Sequence, residues 1–401
     1  MTDQQPNTPL QETAFDSWRS ISISLYMALV GYSVLVGIPV ISTAWVNLLG
    51  FTEVEVGRVA GADLGGLSLG ALFTAAVIAK LNRRHLVIGS AIIAMAANGL
   101  CTISVDYDQV LWLRLMAGFG SGVFTAVSIA TLGASSKPAR SFNMLLFFFA
   151  FTQALEIYFL PKLSMSGIYT AFIVATLIGL PLVSWFPPRP ESANKVLDPD
   201  LATTDNQPLH VPAYVPWLCL GAIVATYINI GTYWTYIQLA TIDTPADPDI
   251  VANVLWAASF FSVVACLFAT FVSNRFGLAR PLLITLVVQA AVVAMLATGI
   301  TDLKIIVSVF MFNFLWIFID VYQMSTIANV DKSGRFAALI PGAQGLGQII
   351  GPNIAATILG MGLGYDAVFI MCACAVLTGM LIYLYIYIEL RKVIPALADA
   401  G

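Results

Sequence analysis

Twelve times along this chain the polarity drops and stays low for about 20 residues, the length a helix needs to cross hydrocarbon. The stretches lie near 21–46, 55–79, 86–104, 110–133, 142–161 and 167–186, then near 214–239, 251–273, 282–300, 305–328, 338–360 and 367–389. A soluble fold would need polar side chains to clothe so much apolar chain. They are missing: 59% of the residues are hydrophobic and 10% charged, against about 25% charged in soluble domains. Strands are excluded as the crossing element, because barrel strands alternate in segments of about ten residues. The expected class is an all-α polytopic membrane protein with lipid as its solvent.

One long break divides the crossings. Residues 187–212, PPRPESANKVLDPDLATTDNQPLHVP, combine proline, acids and small polar residues and read as a cytoplasmic linker. The expected organisation is a cytoplasmic tail (1–20), a six-helix bundle (21–186), the linker, a second six-helix bundle (213–389) and a cytoplasmic tail (390–401). Acids stand in the N-terminal segment where a signal peptide carries its basic region, so the first apolar stretch is expected to stay as the first crossing.

Basic residues orient the chain. With the N-terminus cytoplasmic, the inner segments hold Arg19, Lys80, Arg83, Arg84, Lys137, Arg140, Arg189, Lys195, Arg275, Arg280, Lys332, Arg335, Arg391 and Lys392, 14 of the 18 Lys and Arg. The outer loops keep only Lys162 and Lys304, while Arg58 and Arg114 lie within crossings. This asymmetry follows the positive-inside rule and requires an even number of crossings. Both termini are therefore expected in the cytoplasm of a cell whose plasma membrane (the inner membrane in a Gram-negative cell) holds the protein.

Several function classes fall away on inventory. With 22 acidic and 18 basic residues, no basic stripe suits nucleic acid. His85 and His210 lie in cytoplasmic segments, no His/Cys/acid cluster has metal-ligand spacing, and no serine sits in a G-x-S-x-G elbow. Neither an enzyme nor a cofactor is expected. The five cysteines lie in apolar segments and read as small packing residues.

Residues 112–124, WLRLMAGFGSGVF, place Arg114 in a run otherwise apolar. The glycines after it do not make a phosphate loop, which needs a preceding strand in a βαβ unit. Gly118, Ser121, Gly122 and Thr125 share a stripe with Arg114, and small residues on a stripe admit a neighbouring helix closely. Arg114 either snorkels to the nearby interface or is paired inside the bundle.

These features resemble the major facilitator superfamily from about residue 20 to 390. Arg114, Gly118, Gly120 and Gly122 are similar to the family's fourth-helix R-x-x-x-G-x-G-x-G signature. Asn274, Arg275, Gly277 and Arg280 resemble its D-R-x-G-R-R cytoplasmic loop, with Asn at the acid position. In the corresponding first-half loop only Lys80, Arg83 and Arg84 keep the basic character; Ala79 and Asn82 replace the acid and the glycine. PGAQGLGQIIGP (341–352) looks like the eleventh helix of many members. The fifth crossing lacks the G-x-x-x-G-P-x-x-G-G run of drug/proton antiporters. The resemblance implies two six-helix bundles and secondary transport by alternating access, with the loop residues and glycines acting in the conformational change.

The rare polar residues of the crossings are the candidate site. Asp63, Glu156 and Asp320 are the acids, and Glu156 or Asp63 is the expected partner of Arg114. A carboxylate in low dielectric favours its protonated form and a neighbouring arginine favours the ionised one, so these four residues are candidates for proton coupling. A static ion pair is the competing reading. Gln153 shares a face with Glu156; Asn313, Trp316 and Asp320 share one face; Asn229, Tyr233 and Tyr236 share another; Gln344 and Gln348 lie one turn apart. Amides and aromatics converging from several helices suit, as a set, a midplane pocket for a small organic solute; for any one of them alone, interhelical hydrogen bonding and packing is the better explanation. A monomer coupling such a solute to protons is expected, with efflux, facilitated diffusion or a transport-inactive receptor as alternatives.

Overall fold

The computed structural model describes residues 14–135, 138–188, 212–242, 244–276, 279–330, 336 and 339–393. The first half contains α1 (Trp18–Leu49), α2 (Glu53–Val77), α3 (Arg83–Cys101), α4 (Tyr107–Gly133), α5 (Pro138–Phe159) and α6 (Met165–Gly179). The second contains α7 (Val215–Tyr236), α8 (Pro248–Ala258), α9 (Phe261–Phe276), α10 (Ala279–Ala294), α11 (Asp302–Val330), α12 (Ile340–Gly360) and α13 (Gly364–Val393). Helices α8 and α9, with a short break between them, make the eighth crossing. The fold is all-α, two bundles of six crossings each. Most of the expected linker, the N-terminal tail before residue 14 and the C-terminal tail after 393 lie outside the described residues.

Among the described residues, eleven helices are long and apolar enough to cross a membrane. The expected eleventh crossing, α12, has the length at 21 residues but stands apart from that set. Gln344, Gln348, Asn353 and its glycines lower its apolarity, and it compensates by being enclosed between α2 and α7. Burial follows position in the chain. The crossing Val215–Tyr236 is 72% buried while Met165–Trp185 is 33% buried. α1, α4, α7 and α11 are the enclosed helices, whereas α3, α6, α10 and α13 present side chains such as Ile92, Ile178, Ile284 and Leu381 outward. Leucine and isoleucine exposed this freely need hydrocarbon around them.

Local chemistry sets the helix ends. Thr52 caps α2 in a reciprocal box: the Glu55 N–H donates to its hydroxyl (3.2 Å) and its own N–H donates to the Glu55 carboxylate (2.8 Å). Gly50 ends α1 at φ 72°, a left-handed backbone suited to glycine. The tight α1–α2 turn that results brings the start of α2 back against α1. The two halves meet along α2 with α12, α5 with α8 and α9, and α1 with α7.

Candidate functional site

Backbone-to-backbone packing of α2 on α4 builds the most buried charge. A methyl group on Gly70 would stand 2.8 Å from the Val123 nitrogen, and one on Gly122 would stand 2.8 Å from the Leu67 Cα. One on Gly118 would stand 2.9 Å from Asp63 Oδ1. The glycine stripe thus answers why Arg114 is followed by glycines: it lets Asp63 on α2 reach the guanidinium on α4. Gly120 gives the same closeness to α3, 2.6 Å from the Ser90 carbonyl.

Arg114 Nε donates to Asp63 Oδ2 at 2.7 Å, its Nη2 donates to the same oxygen, and Nη1 donates to Asn98 Oδ1 at 2.7 Å. The guanidinium carbon lies 5.4 Å from the Tyr169 ring centroid, and the Trp45 indole N–H donates to the Tyr169 hydroxyl at 2.9 Å. Arg114 and Asp63 are 1% and 2% exposed, so the arginine does not snorkel. With Asp63 it forms a buried ion pair. Of the two carboxylates expected as its partner, Glu156 is a correction. It lies over Gly37 of α1, where a methyl would stand 2.7 Å from Oε2, and that oxygen has no hydrogen-bond partner. Equal depth in the membrane does not bring two residues together when their helices face different neighbours.

A second polar group spans the two halves. Gln153 on α5 donates from Nε2 to Asn313 Oδ1 on α11 at 3.2 Å. Two turns along α11, Asp320 accepts from the Tyr227 hydroxyl at 2.6 Å and from Gln344 Nε2 at 3.5 Å. Between Asn313 and Asp320 on the same face, Trp316 meets Trp234 and Phe312 edge-on, each at 6.2 Å between ring centroids. The expected face of Asn313, Trp316 and Asp320 is therefore turned to polar partners from α5, α7 and α12.

The expected α7 face divides its work. The Tyr233 hydroxyl pairs with Ser308 at 2.8 Å and its ring stacks on Phe312 at 3.8 Å, placing it inside the second bundle. The Tyr236 hydroxyl donates to the Glu53 carbonyl at 2.8 Å, across the two halves. Asn229 is fully buried, and both its amide atoms are without a partner. Gln348 lies against Gly231, whose added methyl would stand 2.9 Å from its Cα. The structure groups Gln153 with Asn313 and Asp320 with Gln344, while Tyr233 and Tyr236 spend their hydroxyls on packing.

The basic loop after α2 binds neutral oxygens of its own half. Arg83 donates to the Thr131 hydroxyl at 3.1 Å and lies over the Phe15 ring, Arg84 donates to the Phe186 carbonyl at 2.7 Å, and Lys80 is exposed. In the second half Arg280 is exposed, Gly277 lies outside the described residues, and so do the side chains of Asn274 and Arg275.

Sequence reasoning missed Asn98, Tyr169 and Trp45 around Arg114, and Tyr227 at Asp320. Each sits on a different helix from the charge it serves, so no spacing betrays it. It also passed over Arg58, whose Nη1 donates to Asn353 Oδ1 at 2.7 Å and whose Nη2 donates to the Thr357 hydroxyl at 3.0 Å. Its position inside a crossing was a readable signal. These bonds tie α2 to α12 beside a groove of about 590 Å³ lined by Arg58, Ile350, Asn353, Ile354, Thr357 and Met361.

A family model for the Major Facilitator Superfamily matches residues 21–352. No curated protein matches the sequence. Among solved structures, the D-xylose-proton symporter superposes with a TM-score of 0.72 at 14% identity, covering 92% of this chain and 97% of that one. A bacterial homologue of the human drug peptide transporters PepT1 and PepT2 gives 0.71 at 12% identity, with 94% and 99% covered. The nucleoside transporter NupG gives 0.68 at 11% identity, with 92% and 99% covered. At such identities the likeness is one of fold.

Proposed function

The chain belongs to the Major Facilitator Superfamily, a family of transporters rather than enzymes, and from that premise we propose that it is a proton-coupled symporter of a small organic solute. The observation that carries this reading is the hydrogen bond from Gln153 to Asn313 between the two halves, continued along α11 by Trp316 and by Asp320 with Tyr227 and Gln344. Polar side chains on both sides of a seam between rigid bundles are what a solute site needs if rocking is to expose it to each side in turn. The solute replaces the Gln153–Asn313 bond with bonds of its own, so its presence couples to the position of the halves.

Proton coupling is assigned to Arg114 with Asp63, to Glu156 and to Asp320. A carboxylate beside a guanidinium stays ionised; one that loses this neighbour in apolar surroundings takes up a proton. Rocking that alters those neighbourhoods moves a proton with the solute. The two bundles are taken as residues 21–186 and 213–389, joined by 187–212 and flanked by tails 1–20 and 390–401. The protein is placed as a monomer in the plasma membrane, or the inner membrane of a Gram-negative cell, with both termini cytoplasmic.

The test is exchange in proteoliposomes. Binding solutes are first found by thermal-shift screening, then radiolabelled and followed in counterflow and under an imposed pH gradient. Acid outside is expected to drive accumulation in the wild type, with Asp63→Asn, assayed below its lowered melting temperature, retaining counterflow but losing gradient-driven uptake. Binding without any counterflow means a receptor and discards the transport reading. Counterflow indifferent to the gradient discards proton coupling alone.

A further inference from the structure

The seam carries carboxyl groups beside which no described cationic side chain stands. Arg114 is spent on Asp63, and the pair is neutral. Arg58 is held near the α1–α2 turn by Asn353 and Thr357. That leaves Asp320, whose partners Tyr227 and Gln344 donate hydrogen bonds but no charge. It also leaves Glu156, 6% exposed, one turn from the Gln153 that crosses the seam and with Oε2 unpartnered. A carboxylate in such surroundings is costly unless a positive group joins it.

Aromatic rings stand beside the same acid. Trp316 lies one turn from Asp320 on the seam face of α11 and is backed by Trp234, whose indole N–H is buried and without a partner. A carboxylate with an aromatic side chain one turn away offers a protonated amine a counter-charge and offers its apolar body a ring to lie against. Among the described residues an anion finds no free cation there. The approach is also negative. At the α1–α2 end the loops carry Glu53 with Glu55, Asp106 with Asp108 and Asp247 with Asp249, against Lys162 and Lys304. A mouth of one sign concentrates the opposite charge.

We propose that the solute is an organic cation, a protonated amine on an aromatic body, with its ammonium on Asp320 and its ring against Trp316. This rests on the transport reading and names the class of solute that reading left open. Asp320 then serves as the solute's counter-ion, which narrows the proton-coupling assignment above to Asp63 and Glu156.

Three probes share one body and differ in charge: 2-phenylethylamine, 2-phenylethanol and phenylacetate, each titrated against the purified full chain by thermal shift. The amine is expected to bind about tenfold or more tightly than the alcohol, one charge–carboxylate contact being worth about 1.4 kcal/mol or more, and phenylacetate is expected to give no shift. Asp320→Asn is expected to erase the preference of amine over alcohol, and Trp316→Ala to weaken both. The wild-type comparison of amine with alcohol needs no variant to fold. The proposal is overturned if phenylacetate binds as tightly as the amine, if none of the three binds, or if a folded Asp320→Asn keeps the preference. Counterflow of a neutral or anionic solute would discard the cation and leave transport standing; amine binding without exchange would do the reverse.

Discussion

Arg114 and Glu156 show two fates for a charge in a bundle. Arg114 has a carboxylate, an amide oxygen and an aromatic face around it, so removing its counter-charge leaves a cation stranded. Asp63→Asn is expected to lower stability by about 3–5 kcal/mol, read as a drop in melting temperature of the purified protein. Pairing it with Arg114→Gln should restore part of the loss, and the double-mutant cycle measures how much. Glu156 has one oxygen with no partner. Glu156→Gln is therefore expected to leave the melting temperature unchanged or raised. A fall as large as that of Asp63→Asn would mean that Glu156 holds an ion pair after all.

Among elements, the α2–α4 contact decides the site, and its tolerance is set by glycines. Gly122→Leu places a side chain into the Leu67 backbone, where even a methyl has no room. Backbone cannot step aside as a flexible side chain can, so this variant is expected to separate α2 from α4 and cost more than the 1–3 kcal/mol or so of ordinary overpacking. Gly89 on α3 has open space beside it. Gly89→Ala is expected to stabilise by about 0.5–1 kcal/mol through helix propensity. Expression and melting of the two variants, compared side by side, check the contrast; equal behaviour would refute the packing argument. α12 obeys the same rule, since a methyl group on Gly347 would stand 2.6 Å from the Val224 carbonyl of α7. That is how a helix too polar for lipid finds cover.

For the whole molecule, the seam near the α1–α2 turn is held by Arg58 with Asn353 and Thr357, and by Tyr236 with the Glu53 carbonyl. Contacts of this kind must part if that end is to open. Arg58→Ala is expected to speed hydrogen exchange in peptides covering residues 53–61 and 353–361 several-fold, with little change in α3 or α10. No change at the seam would show that Arg58 does not fasten the halves.

Period and composition suffice for the crossings, because each helix answers to lipid along its own length: an apolar run of spanning length is legible residue by residue. Even α12 announced itself by length, and the stripe of Gly118, Ser121 and Gly122 forecast a close neighbour. Which neighbour was another matter. Asp63 rather than Glu156 reaches Arg114, Tyr227 reaches Asp320, and Asn98 and Tyr169 close around the guanidinium, because helices meet by the rotation and tilt that their small residues permit. Those angles are shared by pairs of helices, so no single segment encodes them. The chain alone determined how many times it crosses and which residues are too polar to face lipid; only the packed bundles decided whom those residues meet.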